Sequence, residues 1–192
     1  MPLKEARLLK TSGLKVAVFC SANELDLKYQ RPAQEMAKLL AEHGHSLIFG
    51  GSNRGLMKIM ADGMKAGGAK LYGFSVEFLK KYARQDLDEL IIAKTIGERK
   101  MLMLERADVL IMLPGGTGTL DEITDVIELK KHGRHQKPIL VLNTDHFYDG
   151  LHQQINRMHK EGFLWHEVGY YLRFFDRPSD LVSHLNSLKP SR

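Results

Sequence analysis

Cysteine is almost absent from this sequence, since Cys20 is the only one in 192 residues. A single cysteine excludes an internal disulfide and is typical of proteins kept in a reducing compartment. No sequence feature places a histidine base beside Cys20. We therefore interpret it as a buried, inert thiol rather than a nucleophile.

Long apolar runs are also missing. The longest, such as residues 109–113, are far shorter than the roughly 20 residues that a helix needs to cross a bilayer. Residues 1–14 lack the apolar core of a signal peptide. We expect a cytoplasmic protein without a membrane-spanning segment.

What the sequence does contain is a globular composition, with 43% hydrophobic and 27% charged residues. Its length suits one domain over 1–192, with residues 1–14 as an N-terminal extension.

The net charge of +5 favours anionic partners but does not distinguish a nucleotide from a nucleic acid. The densest basic segment, 130–137, ends a predicted helix, where cations complement the helix dipole. We interpret it as a solvated helix end rather than a nucleic-acid patch.

Short apolar segments alternate with segments of helical periodicity along the whole chain. This alternation predicts right-handed βαβ units, and hence an α/β protein whose mainly parallel sheet is covered by helices on both faces, in three layers. One segment, 75–88, has neither period and is predicted to be irregular or mobile. The predicted strands are 16–20, 46–49, 70–74, 90–93, 109–113, 138–142 and 172–175, and the predicted helices are 29–43, 56–66, 95–106, 119–131, 146–161 and 178–188.

A glycine loop follows the most apolar strand. Pro114 leads into Gly115, Gly116, Thr117 and Gly118, and a helix is predicted to begin at Thr119. Glycines let another molecule approach the backbone, and the N-terminus of a helix attracts anions, so the loop predicts a phosphate site. The alternative is a tight turn closed by a capping box, with Thr119 as N-cap and Glu122 bonding back to its amide.

Two further loops follow the carboxyl ends of predicted strands, at residues 21–23 and 50–55. Parallel sheets bind ligands beyond the carboxyl ends of their strands, where the strand order reverses. We expect these loops to converge with residues 114–118 on one pocket, with Ser21 and Gly51 among the substrate contacts.

Familiar nucleotide motifs do not fit these loops. A P-loop would need lysine and a hydroxyl residue where Leu56 and Met57 stand, and a dinucleotide fingerprint would need glycine in place of Asp121. Metal signatures of the HExxH or CxxC type are missing. We therefore expect a nucleoside monophosphate or similar phosphate bound without a metal or cofactor. A phosphate at the start of that helix would lie near Asp121 and Glu122, and their repulsion requires a cation between them. Arg99 and Lys100 are the best-placed residues to supply it; the alternative is that they are surface residues on a helix.

At these residues the chain resembles the LOG family of cytokinin riboside 5′-monophosphate phosphoribohydrolases. The family pattern Pro-Gly-Gly-x-Gly-Thr-x-x-Glu is met by 114–122, its Arg-Lys pair by Arg99-Lys100, and its early Gly-Gly loop with Gly-Leu-Met by 50–57. The likeness extends from about residue 16 to about residue 142. Members of this family have often been labelled lysine decarboxylases, but the sequence shows no pyridoxal phosphate site.

The resemblance implies a Rossmann-like nucleotide-binding hydrolase domain and a homodimer or larger assembly. The implied reaction is hydrolysis of the N-glycosidic bond of an adenosine-type or cytokinin monophosphate to free base and ribose 5-phosphate. Arg99 and Glu122 are the implied catalytic pair. The residues implied to bind substrate are Lys100, Gly115, Gly116, Thr117, Gly118 and Thr119.

The chain departs from the family pattern at three places. Ile96 replaces the methionine three residues before the arginine, and Ser52 replaces the third glycine of the early loop. The family's acidic substrate contact has no clear match, since Glu77, Asp86, Asp88 and Glu89 are all candidates. These departures concern the choice of base more than the cleavage step.

A second hypothesis belongs to another class. More distant relatives of this fold carry or sense a nucleotide, or bind single-stranded DNA, without catalysis. The intact Arg99 and Glu122 favour the enzyme, because binding an anion gains nothing from a carboxylate beside it. A nucleic-acid partner is therefore not expected.

Overall fold

A computed structural model describes residues 13–188. The predicted N-terminal extension, 1–14, lies outside the described residues except for positions 13 and 14. The described part contains seven strands and seven α-helices. In chain order they are β1 (Lys15–Phe19), α1 (Leu27–Glu42), β2 (Ser46–Phe49), α2 (Gly55–Ala66), β3 (Leu71–Val76), β4 (Glu89–Ala93), α3 (Ile96–Arg106), β5 (Val109–Met112), α4 (Thr117–Lys131), β6 (Ile139–Leu142), α5 (Asp149–Lys160), α6 (Val168–Tyr171), β7 (Arg173–Phe175) and α7 (Pro178–Ser187).

All seven strands run parallel in one sheet, in the order β4-β3-β2-β1-β5-β6-β7. Helices α1, α2 and α7 pack on one face, and α3 to α6 pack on the other. Both faces of the central strands are therefore buried, which explains why those strands are continuous apolar runs rather than alternating ones. The predicted three-layer, Rossmann-like fold is confirmed.

The strand order reverses between β1 and β5, which are direct neighbours with Val16 opposite Val109. From β1 the chain builds the sheet outward through β2, β3 and β4, and then returns to continue through β5 on the other side. A reversal of this kind leaves a crevice at the carboxyl ends of the two strands. The loops after β1 and β5 border that crevice.

Helix α1 begins at Leu27, two residues before the predicted start. Asp26 acts as its N-cap, since its carboxylate accepts a hydrogen bond of 2.8 Å from the Lys28 amide. Pro32 lies inside both the predicted and the observed helix. The predicted end is confirmed, because Gly44 follows the helix with φ of +74°.

Helix α4 begins at Thr117 and not at the predicted Thr119. Gly116 is the N-cap and makes no side-chain capping bond, so the capping box with Thr119 as N-cap is wrong. Thr119 is instead buried in the first turn, and its hydroxyl lies 2.1 Å from where a Cβ on Gly115 would stand. Thr119 therefore packs against the loop from within the first turn of the helix.

The segment predicted to be irregular, 75–88, is partly regular. Its first two residues complete β3, and Glu77–Tyr82 forms a 3-10 helix. The segment then crosses the early glycine loop, where Ser52 and Ala83 form an isolated antiparallel bridge. The buried Arg84 fixes it there through ion pairs with Asp62 and Asp86. We call residues 77–86 the strap.

The basic segment 130–137 is not uniformly solvated. Lys130 is buried, and Lys137 donates a hydrogen bond of 3.0 Å to the Glu105 carbonyl. His132 and Arg134 are exposed, as predicted for a helix end. The prediction of a solvated segment is therefore wrong for the two lysines.

No helix in the part of the chain described by the structure is long and apolar enough to cross a membrane.

Candidate active site

The three predicted loops meet at the carboxyl edge of the sheet. The Ser21 amide donates to the Pro114 carbonyl at 3.3 Å, and the Ser21 carbonyl accepts from the Met57 amide at 3.3 Å. The Ser21 hydroxyl accepts from the Asn23 amide, which closes the first loop into a tight turn. Ser21 thus joins the loop after β5 to the first turn of α2.

The glycine loop presents the N-terminus of α4 to the crevice. The first N–H groups of a helix have no carbonyl partner within it, so they are free to bind an anion. A Cβ on Gly115 would collide with the Thr119 side chain, so Gly115 is required for packing. A Cβ on Gly116 or Gly118 would meet nothing within 4 Å. These two glycines therefore leave an open surface above the helix start.

Arg99 and Glu122 form a buried ion pair beside this loop. Arg99 comes from the first turn of α3, which Thr95 caps by accepting a hydrogen bond from the Glu98 amide. Its Nη2 lies 2.5 Å from the Glu122 Oε1, and the two side chains are 11% and 4% exposed. The sequence places these residues on different helices, and the fold brings them together.

Burial raises the pKa of Glu122 to about 7, since a carboxylate loses its hydration there. The Arg99 guanidinium opposes this rise, whereas the Asp121 carboxylate adds to it. A carboxyl group with a pKa near neutrality can both accept and release a proton at pH 7. The Nε of Arg99 is buried and has no hydrogen-bond partner among the described residues, so the guanidinium retains a free donor.

Next to this pair lies a cleft of about 220 Å³. Its walls come from the loops after β1 and β2, the first turn of α2, the end of β3, the strap and α3. The lining residues are Ala22, Asn23, Gly50, Ser52, Arg54, Met57, Ser75, Leu79, Tyr82, Ala83 and Arg99.

The strap supplies one wall that sequence reasoning missed. Its Leu79, Tyr82 and Ala83 face the cleft, and the Arg54 guanidinium lies 5.1 Å from the centre of the Tyr82 ring. The strap is held over the early loop because the Gly51 carbonyl accepts from the Arg84 amide at 2.9 Å. The only hint in the sequence was an aromatic segment interrupted by lysines and arginine, which has no regular period.

Lys100, the other predicted cation, is occupied elsewhere. Its ammonium contacts the carboxylates of Asp121 and Asp125 on α4. It therefore holds α3 against α4 and does not line the cleft. Its role as a substrate contact stays a prediction.

Each of the four candidates for an acidic substrate contact has a partner that is not among the residues lining the cleft. Asp86 pairs with Arg84, Asp88 accepts a hydrogen bond from the Leu71 amide, Glu89 pairs with Arg106, and Glu77 pairs with Lys80. None of the four is among the residues that line the cleft in the described structure. The sequence could not exclude Asp88 and Glu89, because their partners Leu71 and Arg106 are distant in the chain.

Cys20 is buried at the end of β1, as predicted, and burial raises the pKa of its thiol. A thiol that stays protonated at neutral pH is a poor nucleophile. Cys20 therefore contributes to packing behind the site.

The sequence is similar to a known family and to several named proteins. A family model described as "possible lysine decarboxylase" matches residues 57–185. A cytokinin riboside 5′-monophosphate phosphoribohydrolase of Mycobacterium tuberculosis is 34% identical over 161 residues, which cover 83% of this chain and 86% of that protein. The cytokinin riboside 5′-monophosphate phosphoribohydrolase LOG of Oryza sativa subsp. japonica is 35% identical over 179 residues, which cover 92% of this chain and 74% of that protein.

Among solved structures, the molybdenum cofactor binding protein from Rippkaea orientalis has a TM-score of 0.71 to this chain. The alignment covers 92% of this chain and 98% of that protein, at 19% sequence identity. Likeness at that identity concerns the fold alone.

Proposed function

The chain belongs to the LOG family of cytokinin riboside 5′-monophosphate phosphoribohydrolases, and from this premise we propose that it hydrolyses the N-glycosidic bond of a nucleoside 5′-monophosphate. The products are the free base and ribose 5-phosphate. The proposed substrates carry adenine or a prenylated adenine, so that AMP is included.

One observation on the residues of this chain supports the proposal most strongly. A carboxylate and a guanidinium are buried against each other, the carboxylate on α4, the helix that follows the glycine loop, and the guanidinium in the lining of the cleft. An anion carrier would be weakened by a carboxylate at this place, because the charge repels the bound phosphate. A hydrolase needs it, because positive charge develops on the ribose during cleavage.

The proposed mechanism assigns one step to each group. As the bond from the ribose C1′ to the base nitrogen breaks, its electron pair leaves with the base and the ribose becomes oxocarbenium-like. The Glu122 carboxylate stabilises that charge and accepts a proton from the water whose oxygen bonds to C1′. Arg99 favours the ionised form of Glu122 and orients it, and the Arg99 side chain also lines the cleft. The proton then passes to the base.

The proposed role of residues 115–119 is to bind the 5′-phosphate at the start of α4. Binding energy from this remote group would position the ribose for attack, so it should appear in the rate as well as in affinity. We expect kcat/KM for AMP to exceed that for adenosine by roughly a hundredfold or more. Chromatography of the adenine released from each compound measures both values of kcat/KM. Equal rates for the two compounds would remove the phosphate from the mechanism.

Substitutions at Gly118 and Gly115 distinguish a loss of AMP binding from a loss of packing. Gly118→Ala places a methyl group in open space on the first turn of α4, where alanine favours the helix by roughly 0.5–1 kcal/mol. We expect this variant to unfold at or above the wild-type temperature but to bind AMP at least tenfold more weakly. Thermal denaturation and calorimetric titration with AMP are the measurements.

Gly115→Ala is the matched comparison. Its methyl group would collide with Thr119, so this variant should lose stability as well as AMP binding. If Gly118→Ala bound AMP with unchanged affinity, the phosphate would not lie above this turn.

We also propose that the protein assembles as a homodimer or larger homo-oligomer. Several large apolar side chains are exposed, with Phe163 and Trp165 at 68% and 63%. Exposed aromatic residues of this size are characteristic of association surfaces. Light scattering coupled to gel filtration distinguishes this from a 21.8 kDa monomer.

A further inference from the structure

A second cleft opens at the opposite edge of the sheet from the candidate active site. It has a volume of about 190 Å³ and lies where β6 and β7 begin. We call it the amino-edge cleft. The polar side chains that line it belong to Lys130, Gln136, Tyr170, Tyr171, Arg173 and His184.

Lys130 differs from the other buried cations of the described chain. Arg84, Arg99 and Lys100 each contact at least one carboxylate. Lys130 donates instead to the Lys137 carbonyl at 3.1 Å, and its ammonium lies 5.2 Å from the centre of the Tyr170 ring, but among residues 13–188 it forms no ion pair. Burying an ammonium group without a counter-ion is costly, so an unpaired one in a cleft is unusual.

The other basic groups of this cleft also lack acidic partners. The Arg173 Nη1 lies 3.0 Å from the His184 Nε2, and within the described structure neither side chain contacts a carboxylate. The Tyr171 hydroxyl is buried and has no hydrogen-bond partner there. The cleft therefore gathers three basic side chains and an unused hydroxyl, with no acidic residue in its lining.

We propose that the amino-edge cleft binds a small phosphate-bearing anion through Lys130, Arg173 and His184. A guanidinium offers paired donors that match phosphate oxygens, and an ammonium supplies a compact charge. The volume is below the roughly 300 Å³ of typical sites for drug-sized ligands, so it suits inorganic phosphate or a short sugar phosphate rather than a whole nucleotide. This site is separate from the proposed catalytic function and does not depend on it.

Lys130→Met tests the proposal, and Lys131→Met is its matched control. Methionine keeps most of the side-chain volume and removes the charge. Lys131 is the next residue of the same helix, but it pairs with Glu128 and does not line the cleft. Binding of inorganic phosphate is measured by calorimetry and by the shift in unfolding temperature, and ribose 5-phosphate and acetate are tested in parallel.

We expect Lys130→Met to bind phosphate at this site at least tenfold more weakly than the wild type, whereas Lys131→Met binds as the wild type does. Any phosphate bound at the α4 N-terminus contributes equally to the response of the wild type and of both variants. The difference in response between Lys130→Met and the other two proteins therefore measures binding in the amino-edge cleft. Without phosphate, Lys130→Met should unfold no earlier than the wild type, because an unpaired buried charge has been removed. A difference between the wild type and Lys130→Met that is larger with ribose 5-phosphate than with inorganic phosphate would identify a sugar phosphate as the ligand of this cleft.

Equal phosphate affinity in the two variants would overturn the proposal. So would a wild-type response to acetate that matches the response to phosphate, since the site would then select any small anion. If Lys130→Met unfolded early and yet kept its phosphate affinity, the lysine would serve packing alone.

Discussion

Glu122→Gln should reduce kcat for base release from AMP by roughly three orders of magnitude, the range expected when a general base is removed. Glutamine has nearly the same shape, and its side-chain oxygen can still accept from Arg99. It can neither take a proton from water nor offset the positive charge on the ribose. AMP binding should remain within a few-fold of wild type, because the phosphate is proposed to bind to the start of α4.

Steady-state kinetics and calorimetric titration with AMP measure the two effects separately. Glu128→Gln, an exposed change on the same helix, is the control and should keep wild-type kcat. Wild-type turnover in Glu122→Gln would mean that Glu122 only balances the charge of Arg99.

Arg99→Met should lower activity at pH 7 by at least a hundredfold and should also change the pH profile. In the wild type the pKa of Glu122 is about 7, so kcat/KM should fall as the pH decreases below that value and the carboxylate is protonated. Arg99 lowers this pKa, so removing it raises the pKa further. The acidic limb should therefore move to higher pH, and part of the lost activity should return between pH 7 and 9.

Arg106→Met is the matched control for this profile. Arg106 lies on the same helix but pairs with the exposed Glu89 and stacks over Tyr72. Its removal should leave the acidic limb in place. An unshifted limb in Arg99→Met, with the rate reduced, would indicate that Arg99 acts on the substrate and not through Glu122.

Much of the fold could be predicted from the sequence, because buried parallel strands are continuous apolar runs and the helices between them have a clear period. The sequence also locates the loops at the carboxyl edge, since a parallel sheet brings the ends of its strands together. The start of α4 was harder to predict. Thr117 and Gly118 have low helix propensity, yet both lie in the first turn, where Thr119 packs against Gly115.

Pairing between distant residues could not be predicted in the same way. Arg99 and Glu122 were expected to act together from family resemblance, but their ion pair depends on how α3 and α4 pack beside each other on one face of the sheet. The strap was missed because its conformation is set by Arg84 and its partners and not by a local period. The burial of Lys130 was missed for a similar reason, since a basic helix end is normally solvated.

The most direct test of the central claim is a product analysis without added metal. Purified protein is incubated with AMP and, separately, with isopentenyladenosine monophosphate, and free base and ribose 5-phosphate are quantified by chromatography. We expect both products in equal amounts from at least one substrate, and release of both roughly a thousandfold slower with Glu122→Gln. If the protein binds AMP but releases no base from either compound, the hydrolase account is contradicted and a nucleotide-binding module of the same fold takes its place.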